Sequence, residues 1–583
     1  MRITEVVIRN FRCHKDTRIK LQKYHALVGE NGTGKTSILE AIDLATSPRL
    51  SSFRFSEQDF NNTDEGDIFI EVIFNQFFIV RIPDGYTTQN LPCKSVVLNV
   101  KRRQQASAGK VLSDPFVVSH TCKPITYSQK SELDSSLLPD GISLNDLPTS
   151  VQVTDKGYSI TRKSGNPMDV RRDLIGISDE TVGFPNVFFF DREREKECKV
   201  GFNTLFSRMM RELNWRFRKN WNPSHIRELW EPYYSEILGT VEKKVERELF
   251  GPVKKRLAAI LGPPFDELEL SLLALEEPFA KAFLALRSEL NQVDMTRVGS
   301  GISTMVAYLL LEQMASLTKQ SIIFLIDEPE MHLHPQLQKY LAEYFQTGET
   351  QIVISTHSPL FVDVGQWKGI SRLTMTGDVK PTKEKLVEHL ASKTIFEHLE
   401  EIPKWHQHET VFLESDSELF FARKVLLVEG PAEKYGLPRL AKVMGKSFKD
   451  VTIISCNGKN KMPYYAILCK AFDIPAYVLF DLDNKEPKDK ENSLVMSATE
   501  GLPRSSFRSN FEQLLGINPS TEHKGSNTLL RIDQISTTDE IPKEIAQKIE
   551  NIAQWAGAED SYKETADSPS ENEQGANDSE VPF

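Results

Sequence analysis

Four carboxylates follow two apolar segments in the last third of the chain. The segment "KVLLVEGPAE" contains Glu429 and Glu433, and "AYVLFDLDN" contains Asp481 and Asp483. Residues four apart share one face of a helix, and residues two apart project to the same side of a strand. Crowded carboxylates repel each other unless cations neutralise them, and hard oxygen ligands suit Mg²⁺ or Mn²⁺. These four residues are therefore predicted metal ligands, unless each pair belongs to an acidic surface loop.

Two such ions about 4 Å apart would clamp the attacking and leaving oxygens of a phosphodiester. That chemistry requires the two apolar segments to be buried parallel strands, because parallel strands bring their carboxyl ends to one edge of a sheet. Glu429, Asp481 and Asp483 are then also candidate catalytic residues.

A second group of residues near the amino terminus is typical of a phosphate-binding loop. The segment "GENGTGKTS" fits G-x-x-x-x-G-K-[ST] between Gly29 and Thr36, with a strand pattern before it and a helix pattern after it. Glycines let backbone N–H groups wrap phosphates, Lys35 neutralises charge on the β- and γ-phosphates, and the Thr36 hydroxyl binds Mg²⁺. The predicted ATP-binding residues are Gly29, Asn31, Gly32, Gly34, Lys35, Thr36 and Ser37.

The apolar segment "IIFLIDEPEMHLHP" supplies the second half of an ATPase site. Asp327 is placed to hold Mg²⁺, and Glu328 to polarise an attacking water. His357, in "VISTHSP", is predicted to contact the γ-phosphate, although a histidine after a strand is more often structural. His332 and His334 are interpreted as residues that shape the loop after Asp327 rather than as metal ligands.

Composition places the chain among ordinary globular proteins. It has 583 residues, 39% hydrophobic and 26% charged, which is too long for a single core. The net charge is −11, but residues 559–583 alone carry −7 and are predicted to be disordered. Six widely spaced cysteines indicate neither a zinc site nor a disulfide framework. No apolar run approaches the ~20 residues that span a bilayer, so we expect a soluble cytoplasmic protein with no membrane partner.

The order of these patterns predicts an α/β fold class with an ATPase interrupted by a helical insertion and followed by a smaller α/β domain. The insertion includes a basic block that is interpreted as a dimerisation element or a nucleic-acid contact. The predicted divisions are 1–180 and 286–380 for the two parts of the ATPase, 181–285 for the helical insertion, 381–420 for a helical linker, 421–557 for the metal-binding domain and 558–583 for the acidic tail.

The opening "IRNFRCHKDTRIKLQKYHALVGENGTGKT" resembles the RecF/SMC-like branch of the ABC ATPases. In that branch two heads sandwich ATP, so the resemblance implies a dimer. The segment "TRVGSGISTMVAYLLL" stands where the signature loop is expected, which makes Ser300 and Gly301 candidate nucleotide contacts. It departs from the family's L-S-G-G-Q.

The pair E-G-x-x-E and D-x-D resembles the Toprim domain of topoisomerases, bacterial primases and related nucleases. An ATPase head fused to Toprim resembles the OLD-family nucleases, over nearly the whole chain. That resemblance implies a further metal ligand, matched by Glu512 in "RSNFEQLLGI", and a lysine that stabilises the cleaved phosphate. Lys524 is the candidate for this lysine, although Lys543 and Lys548 also follow.

The leading hypothesis is an ATP-binding, Mg²⁺- or Mn²⁺-dependent DNA endonuclease, with RNA not excluded as substrate. The resemblance implies an antiphage role, gating by nucleotide or by a partner protein or ribonucleoprotein, and a homodimer or tetramer. The alternative is a recombination or repair clamp whose Toprim module binds DNA without cutting. A primase or topoisomerase is a third option. It is disfavoured because the cysteine spacing supplies no zinc module and nothing indicates a catalytic tyrosine region.

Overall fold

The structure is a computed structural model in which the chain divides into two compact units, Met1–Lys380 and Pro381–Phe583. It describes residues 1–47, 54–61, 66–103, 115–178, 180–191, 247–248, 251–261, 267–271, 283–287, 292–294, 302, 305–306, 308–310, 312–313, 321–331, 333–375, 379–380, 414–518 and 524–557. No helix within these ranges is long and apolar enough to cross a membrane.

The first unit contains strands of two kinds, long antiparallel ones and short buried parallel ones. The strands are β1 Ile3–Phe11, β2 His14–Lys20, β3 Tyr24–Gly29, β4 Ile68–Asp84, β5 Thr87–Arg102, β6 Phe116–Pro124, β7 Ser150–Thr154, β8 Gly157–Thr161, β9 Pro167–Arg171, β10 Asn186–Phe190, β11 Glu267–Ser271, β12 Phe283–Arg287, β13 Gln292–Asp294, β14 Ile322–Asp327, β15 Gln351–Ser355, β16 Ile370–Leu373 and β17 Val379–Lys380. Its described helices are α1 Lys35–Thr46, α2 Gly251–Leu261 and α3 Pro335–Thr347.

The sheet that carries the nucleotide motifs has the order β10-β14-β15-β3-β16-β17. Its first five strands pair in parallel, and β17 pairs antiparallel with β16. All six residues of β14 are buried, as expected for a central parallel strand that is covered on both faces. Parallel pairing places the ends of β3, β14 and β15 at one edge of the sheet, where the glycine-rich loop and Asp327 therefore meet.

A second sheet, with the order β2-β1-β4-β5-β6, is antiparallel throughout. The first half of β4 alternates between buried and less buried residues, which fits a sheet with one face in the core. The buried residues Ile38 and Ile42 of α1 belong to the same hydrophobic core as Ile70 and Val72 of β4. This core supports the helix that begins at the phosphate-binding loop.

The predicted helical insertion at 181–285 falls largely on residues 192–246, which lie outside the described residues. Strand β10, inside that range, belongs to the parallel sheet, β11 also lies within it, and β12 crosses its end at 285. Most of the predicted linker and the whole acidic tail likewise fall outside the described residues.

The second unit has a four-stranded parallel sheet in the order β19-β18-β20-β21. Its strands are β18 Lys424–Val428, β19 Val451–Ser455, β20 Ala476–Asp481 and β21 Arg504–Phe507. The described helices are α4 Pro431–Val443, α5 Met462–Ala471, α6 Lys490–Ala498, α7 Phe511–Leu514, α8 Lys524–Asp533 and α9 Lys543–Gly557, and Glu414–Phe421 forms a 3₁₀ segment. Both units are mixed α and β, so the predicted α/β fold class is confirmed.

Candidate functional site

The phosphate-binding loop connects β3 to α1 and is shaped by glycines in the left-handed region. Gly32 and Gly34 have φ of +81° and +90°. A Cβ on Gly34 would overlap the side chains of Cys13 and His14, so glycine is required there for space as well as for conformation. His14 bonds to the Gly34 carbonyl through Nε2 at 3.1 Å, which ties the loop to the adjacent hairpin.

Lys35 is held inside this loop. Its ammonium donates to the carbonyls of Gly29 and Glu30, at 2.9 Å each, and the side chain is buried. The loop thus already positions a positive charge where phosphates would bind. Of the other predicted ATP contacts, Asn31 is exposed and Ser37 is half-buried on the first turn of α1.

The two ATPase motifs, far apart in sequence, meet at Thr36 and Asp327. The Thr36 hydroxyl lies 2.9 and 3.0 Å from the two oxygens of Asp327. The Ser355 hydroxyl also donates to Asp327, from the end of the neighbouring strand β15. A hydroxyl beside a buried carboxylate at a strand end is the arrangement that holds Mg²⁺ against a nucleotide.

Glu328 and His357 also lie together beside this carboxylate. Glu328 adopts a left-handed φ of +50°, and its N–H donates to the Ser355 carbonyl at 3.0 Å. His357 Nε2 lies 3.8 Å from Glu328 Oε1. The sequence placed both residues after strands, and the structure brings them together.

Glu330 is a residue that the sequence analysis did not single out. It accepts hydrogen bonds from the His357 N–H at 2.5 Å and from the Thr356 hydroxyl at 2.9 Å, and burial raises its pKa. Glu330 therefore positions the segment that carries His357. Its position in the D-E-P-E segment, two residues after Glu328, was the sequence signal that could have identified it.

Four other residues that the sequence singled out in the ATPase have different outcomes. Ser300, Gly301 and His332 lie outside the described residues. His334 caps the amino terminus of α3, where its Nδ1 accepts from the Gln336 N–H at 3.4 Å. This structural role agrees with its interpretation as a residue that shapes the loop.

The predicted metal ligands of the second unit lie at one edge of its parallel sheet. Glu429 directly follows β18, Asp481 ends β20, and these two strands are neighbours. Glu433 lies in the first turn of α4, and Glu512 in the first turn of α7. We call Glu429, Glu433, Asp481, Asp483 and Glu512 the acid cluster.

Backbone N–H groups hold three members of the acid cluster. Glu429 accepts from the Asp481 N–H at 3.3 Å, Asp481 accepts from the Phe511 N–H at 3.2 Å, and Glu433 accepts from the Gly430 N–H at 3.0 Å. These bonds link the ends of β18, β20 and α7. The cluster is therefore built from several elements that only the tertiary fold brings together.

The electrostatics of the acid cluster disfavour ionisation. Burial, followed by the charges of Glu433 and Glu429, raises the pKa of Asp481 to about 9. Burial, followed by the charges of Glu512 and Glu429, raises the pKa of Glu433 to about 7. Burial also raises the pKa of Glu429. Such mutual repulsion is relieved when a cation binds.

Lys459 supplies a positive charge to this cluster, and the sequence analysis missed it. Its ammonium pairs with Asp483, the side chain is 7% exposed, and its charge lowers the pKa of Glu429. Lys459 follows β19, which lies next to β18 in the parallel sheet. The segment "SCNGKNK" at the end of β19 was the signal that could have identified it.

The donor set of the acid cluster fits a divalent cation. Asp481 Oδ1 is buried and has no hydrogen-bond partner in the structure. Carboxylate oxygens are the ligands that Mg²⁺ and Mn²⁺ prefer. Within the described ranges, however, no three His, Cys, Asp or Glu side chains are already arranged to hold an ion. The carboxylates instead bond to backbone N–H groups and to Lys459. A cation would have to replace some of these partners in order to bind.

The candidate lysine Lys524 begins α8, and its side chain lies outside the described residues. Lys543 begins α9.

Comparison with known proteins matches both units. A family model described as "AAA ATPase domain" matches residues 1–156 and 191–362. A model described as "Overcoming lysogenization defect protein-like, TOPRIM domain" matches residues 420–483, which include four members of the acid cluster. The two domains together imply the use of a nucleotide and a divalent metal.

Similar proteins extend over most of the chain. The OLD nuclease of Thermus scotoductus (strain ATCC 700910 / SA-01) is 24% identical over 539 residues, covering 88% of this chain and 90% of its own length. The Old nuclease of Escherichia phage P2 is 25% identical over 83% of this chain and 77% of its own. The endonuclease GajA of Bacillus cereus (strain VD045) is 22% identical over 74% of this chain and 66% of its own. The AAA ATPase model covers more than half of the chain, so the chain belongs to that ATPase family, and it joins this ATPase to an OLD-like Toprim domain as its similarity to the OLD nucleases indicates.

Proposed function

We propose that this protein is a divalent-metal-dependent endonuclease that cuts DNA and is controlled by ATP. The observation that carries the proposal is the acid cluster, in which five carboxylates from several elements meet at one sheet edge with one buried lysine. The relatives that are named as nucleases also support an endonuclease activity.

The acid cluster is the metal site in this proposal. Glu429, Glu433, Asp481, Asp483 and Glu512 hold Mg²⁺ or Mn²⁺ through their carboxylate oxygens. Divalent ions bound there supply the charge that stabilises the attacking and leaving oxygens of a phosphodiester. Asp481 is the central ligand in this proposal because its unpaired Oδ1 is available to bind a cation. Its hydrogen-bonded neighbours, Glu429 and Phe511, come from two other elements.

The lysines offset part of the negative charge of the site. Lys459 neutralises Asp483 and Glu429 when no cation is bound, and it keeps the loop after β19 at the sheet edge. Lys524 is proposed to stabilise negative charge on the cleaved phosphate. A cluster of five acids without cations would repel a polyanion, which argues against a module that merely binds DNA.

The first unit is the site of ATP binding and hydrolysis. Lys35 is placed for the β- and γ-phosphates, and Thr36 and Asp327 for the accompanying Mg²⁺. Glu328 orients the attacking water, and His357 contacts the γ-phosphate. Gly29, Asn31, Gly32, Gly34 and Ser37 complete the phosphate loop.

Control by ATP is proposed to involve a second copy of the chain. On the resemblance of the opening segment to RecF/SMC-like heads, Ser300 and Gly301 are proposed to contact the nucleotide of a partner, in a dimer or tetramer. An antiphage role, in the cytoplasm and with or without a partner protein or ribonucleoprotein, is proposed from the similarity to the endonuclease GajA.

Cleavage of supercoiled plasmid by the purified full-length chain tests the proposal. Wild type, Asp481→Ala/Asp483→Ala and Lys35→Ala are compared in Mg²⁺ or Mn²⁺, each with and without ATP, and an RNA of similar length is run beside the DNA. We expect nicked or linear plasmid that the double substitution abolishes, with Lys35→Ala changing the response to ATP. Intact ATP hydrolysis with no cleavage in any lane would instead favour a DNA clamp.

A further inference from the structure

A groove lined by lysines runs along α4 of the second unit, from Lys434 beside Glu433 toward the amino-terminal end of β19. It lies between α4, β19 and the 3₁₀ segment at Glu414–Phe421, with a volume of about 720 Å³. Its charged lining residues are Lys434, Lys442, Lys446, Lys449 and Glu418. We call this feature the lysine groove.

The lysine groove carries a net positive charge that the described structure does not neutralise. Four lysines face one glutamate, and Lys434, Lys442 and Lys449 form no ion pair within the described ranges. Lys446 pairs with Glu550 at 2.9 Å, but these side chains are 39% and 60% exposed. Such an exposed pair contributes little and is easily exchanged for another anion.

Helix α4 connects the lysine groove to the acid cluster, because it contributes residues to both. Glu433 is the third residue of α4, and Lys434, the next residue, already lines the groove. Lys442 follows eight residues later, which at 1.5 Å per residue is roughly 12 Å along the helix. Lys446 and Lys449 continue the positive charge beyond the end of α4. A strand of nucleic acid along the groove would place about three phosphates between Lys434 and Lys442.

The groove also offers surface on which bases can stack. Tyr435 lines it and is 55% exposed, and Pro438 and Phe448 add apolar contacts beside the lysines. Lysines that alternate with an exposed aromatic ring are typical of surfaces that follow a phosphate backbone and stack bases without reading sequence. An acidic protein segment would use the lysines but would have less use for this ring.

We infer that the lysine groove binds the phosphate backbone of the nucleic-acid substrate and leads it to the acid cluster. The inference rests on the proposed nuclease function and adds the path of the substrate. It assigns binding to Lys434, Lys442, Lys446 and Lys449, and base stacking to Tyr435.

Binding of fluorescently labelled DNA to the full-length chain, measured by anisotropy in Ca²⁺ so that a hard cation can occupy the acid cluster, tests this inference without requiring cleavage. The test variant is Lys442→Glu/Lys449→Glu. The matched control is Lys488→Glu/Lys490→Glu, which changes the same charge at lysines of the same unit that do not line the groove. Thermal unfolding of wild type and both variants is the control for folding, and we expect the same transition in all three because the substituted lysines are exposed.

We expect the groove variant to bind single-stranded and duplex DNA at least about tenfold more weakly than wild type. The slope of log affinity against log salt should fall by about 2, because two phosphate contacts are lost. The control variant should stay within about twofold of wild type. Tyr435→Ala should weaken binding of single-stranded DNA more than that of duplex DNA, since only unpaired bases can stack on the ring.

Equal affinity of groove variant and wild type would overturn the inference, as would an equal loss in the control variant. A synthetic peptide of residues 558–583 tests the alternative ligand, which is an acidic protein segment. If the groove variant loses the peptide but keeps DNA, the groove serves an acidic protein segment and the inference fails. If the groove variant loses DNA while wild type cuts no plasmid, the inference stands and the nuclease proposal fails.

Discussion

The phosphate loop of the first unit and the acid cluster of the second unit differ in how their charges are balanced. Lys35 is satisfied by two loop carbonyls, and Asp327 by the hydroxyls of Thr36 and Ser355. In the acid cluster five carboxylates share one lysine, and Asp481 keeps a buried oxygen without a partner. The first site has hydrogen-bonded partners before any ligand binds, whereas the second lacks positive charge.

This difference indicates how each site should respond to its ligand. Backbone and hydroxyl groups have already organised the phosphate loop, so a nucleotide exchanges hydrogen bonds with little change in electrostatic free energy. A cation at the acid cluster removes repulsion among buried carboxylates, so its binding should change stability and proton uptake strongly. The two sites can be separated by substitutions that affect only one of them.

The largest expected effect is on ATP hydrolysis. Lys35→Ala removes the only charged group that the loop directs at the phosphates, and we expect the rate to fall by at least about 10²-fold. Cation binding at the acid cluster should be unchanged, because Lys35 belongs to the other unit. Phosphate release measures the rate, and Lys20→Ala, at an exposed lysine of the same unit, is the control. Hydrolysis that survives in Lys35→Ala would contradict the assignment of the loop.

The next effect is a gain of stability from losing a cluster acid. The pKa of Asp481 is raised in the folded state, so its ionisation costs nothing below about pH 4 and opposes folding increasingly as pH rises toward 9. Without divalent cations at pH 8, Asp481→Asn should raise the free energy of unfolding by about 1 to 3 kcal/mol. The amide oxygen can still accept from the Phe511 N–H.

Denaturant unfolding in EDTA at pH 8 and at pH 4 measures this gain. Asp450→Asn, at an exposed aspartate of the same unit, is the control and should change nothing. A loss of stability in Asp481→Asn at pH 8 would show that the carboxylate is already compensated by the protein.

A third, opposite effect is expected from the buried lysine. Lys459→Ala removes the cation that pairs with Asp483, so the metal-free protein should lose about 1 to 3 kcal/mol of stability. The site becomes more negative, and divalent cations should bind several-fold more tightly and stabilise the variant more than wild type. Thermal unfolding with and without Mg²⁺ measures both changes. Lys485→Ala, which removes an exposed pair with Glu491, is the control and should have neither effect.

The smallest effect is on the pH dependence of cation binding. Because the pKa values of Glu433 and Asp481 are raised to about 7 and about 9, a cation must displace protons to bind at neutral pH. Its apparent affinity should therefore rise between pH 6 and pH 9. Calorimetry in two buffers of different ionisation enthalpy measures the protons released. Proton release that is zero at pH 7 would mean that the acids are already ionised.

Most of the chemistry could be predicted from the sequence because strand ends are readable along the chain. Glu429 and Asp481 each end an apolar run, and parallel pairing then requires them to meet at one edge. Thr36 and Asp327 could be paired in the same way from their motifs. Lys459 was missed because its importance depends on β19 lying next to β18, which the sequence leaves open. Glu330 was missed because its role is to bind the backbone before His357.

The antiparallel sheet of the first unit was predicted least well. The region from 90 to 180 reads as strands and loops, but β1 pairs with β4 between residues far apart in sequence, such as Ile8 and Ile70. The register of such a ladder follows from which face is buried, and that is decided by α1 and the rest of the core. Local patterns along the chain therefore do not predict which strands of this sheet pair.

Binding of Mn²⁺ to the nucleotide-free, full-length chain, followed by electron paramagnetic resonance, tests the central claim most directly. Wild type is compared with Asp481→Asn and Lys35→Ala at pH 8. If the acid cluster lacks positive charge, Mn²⁺ should bind wild type and Lys35→Ala with equal affinity. It should bind Asp481→Asn at least about 10²-fold more weakly. Equal binding of Mn²⁺ to wild type and Asp481→Asn would contradict it, and the acid cluster would not be the metal site.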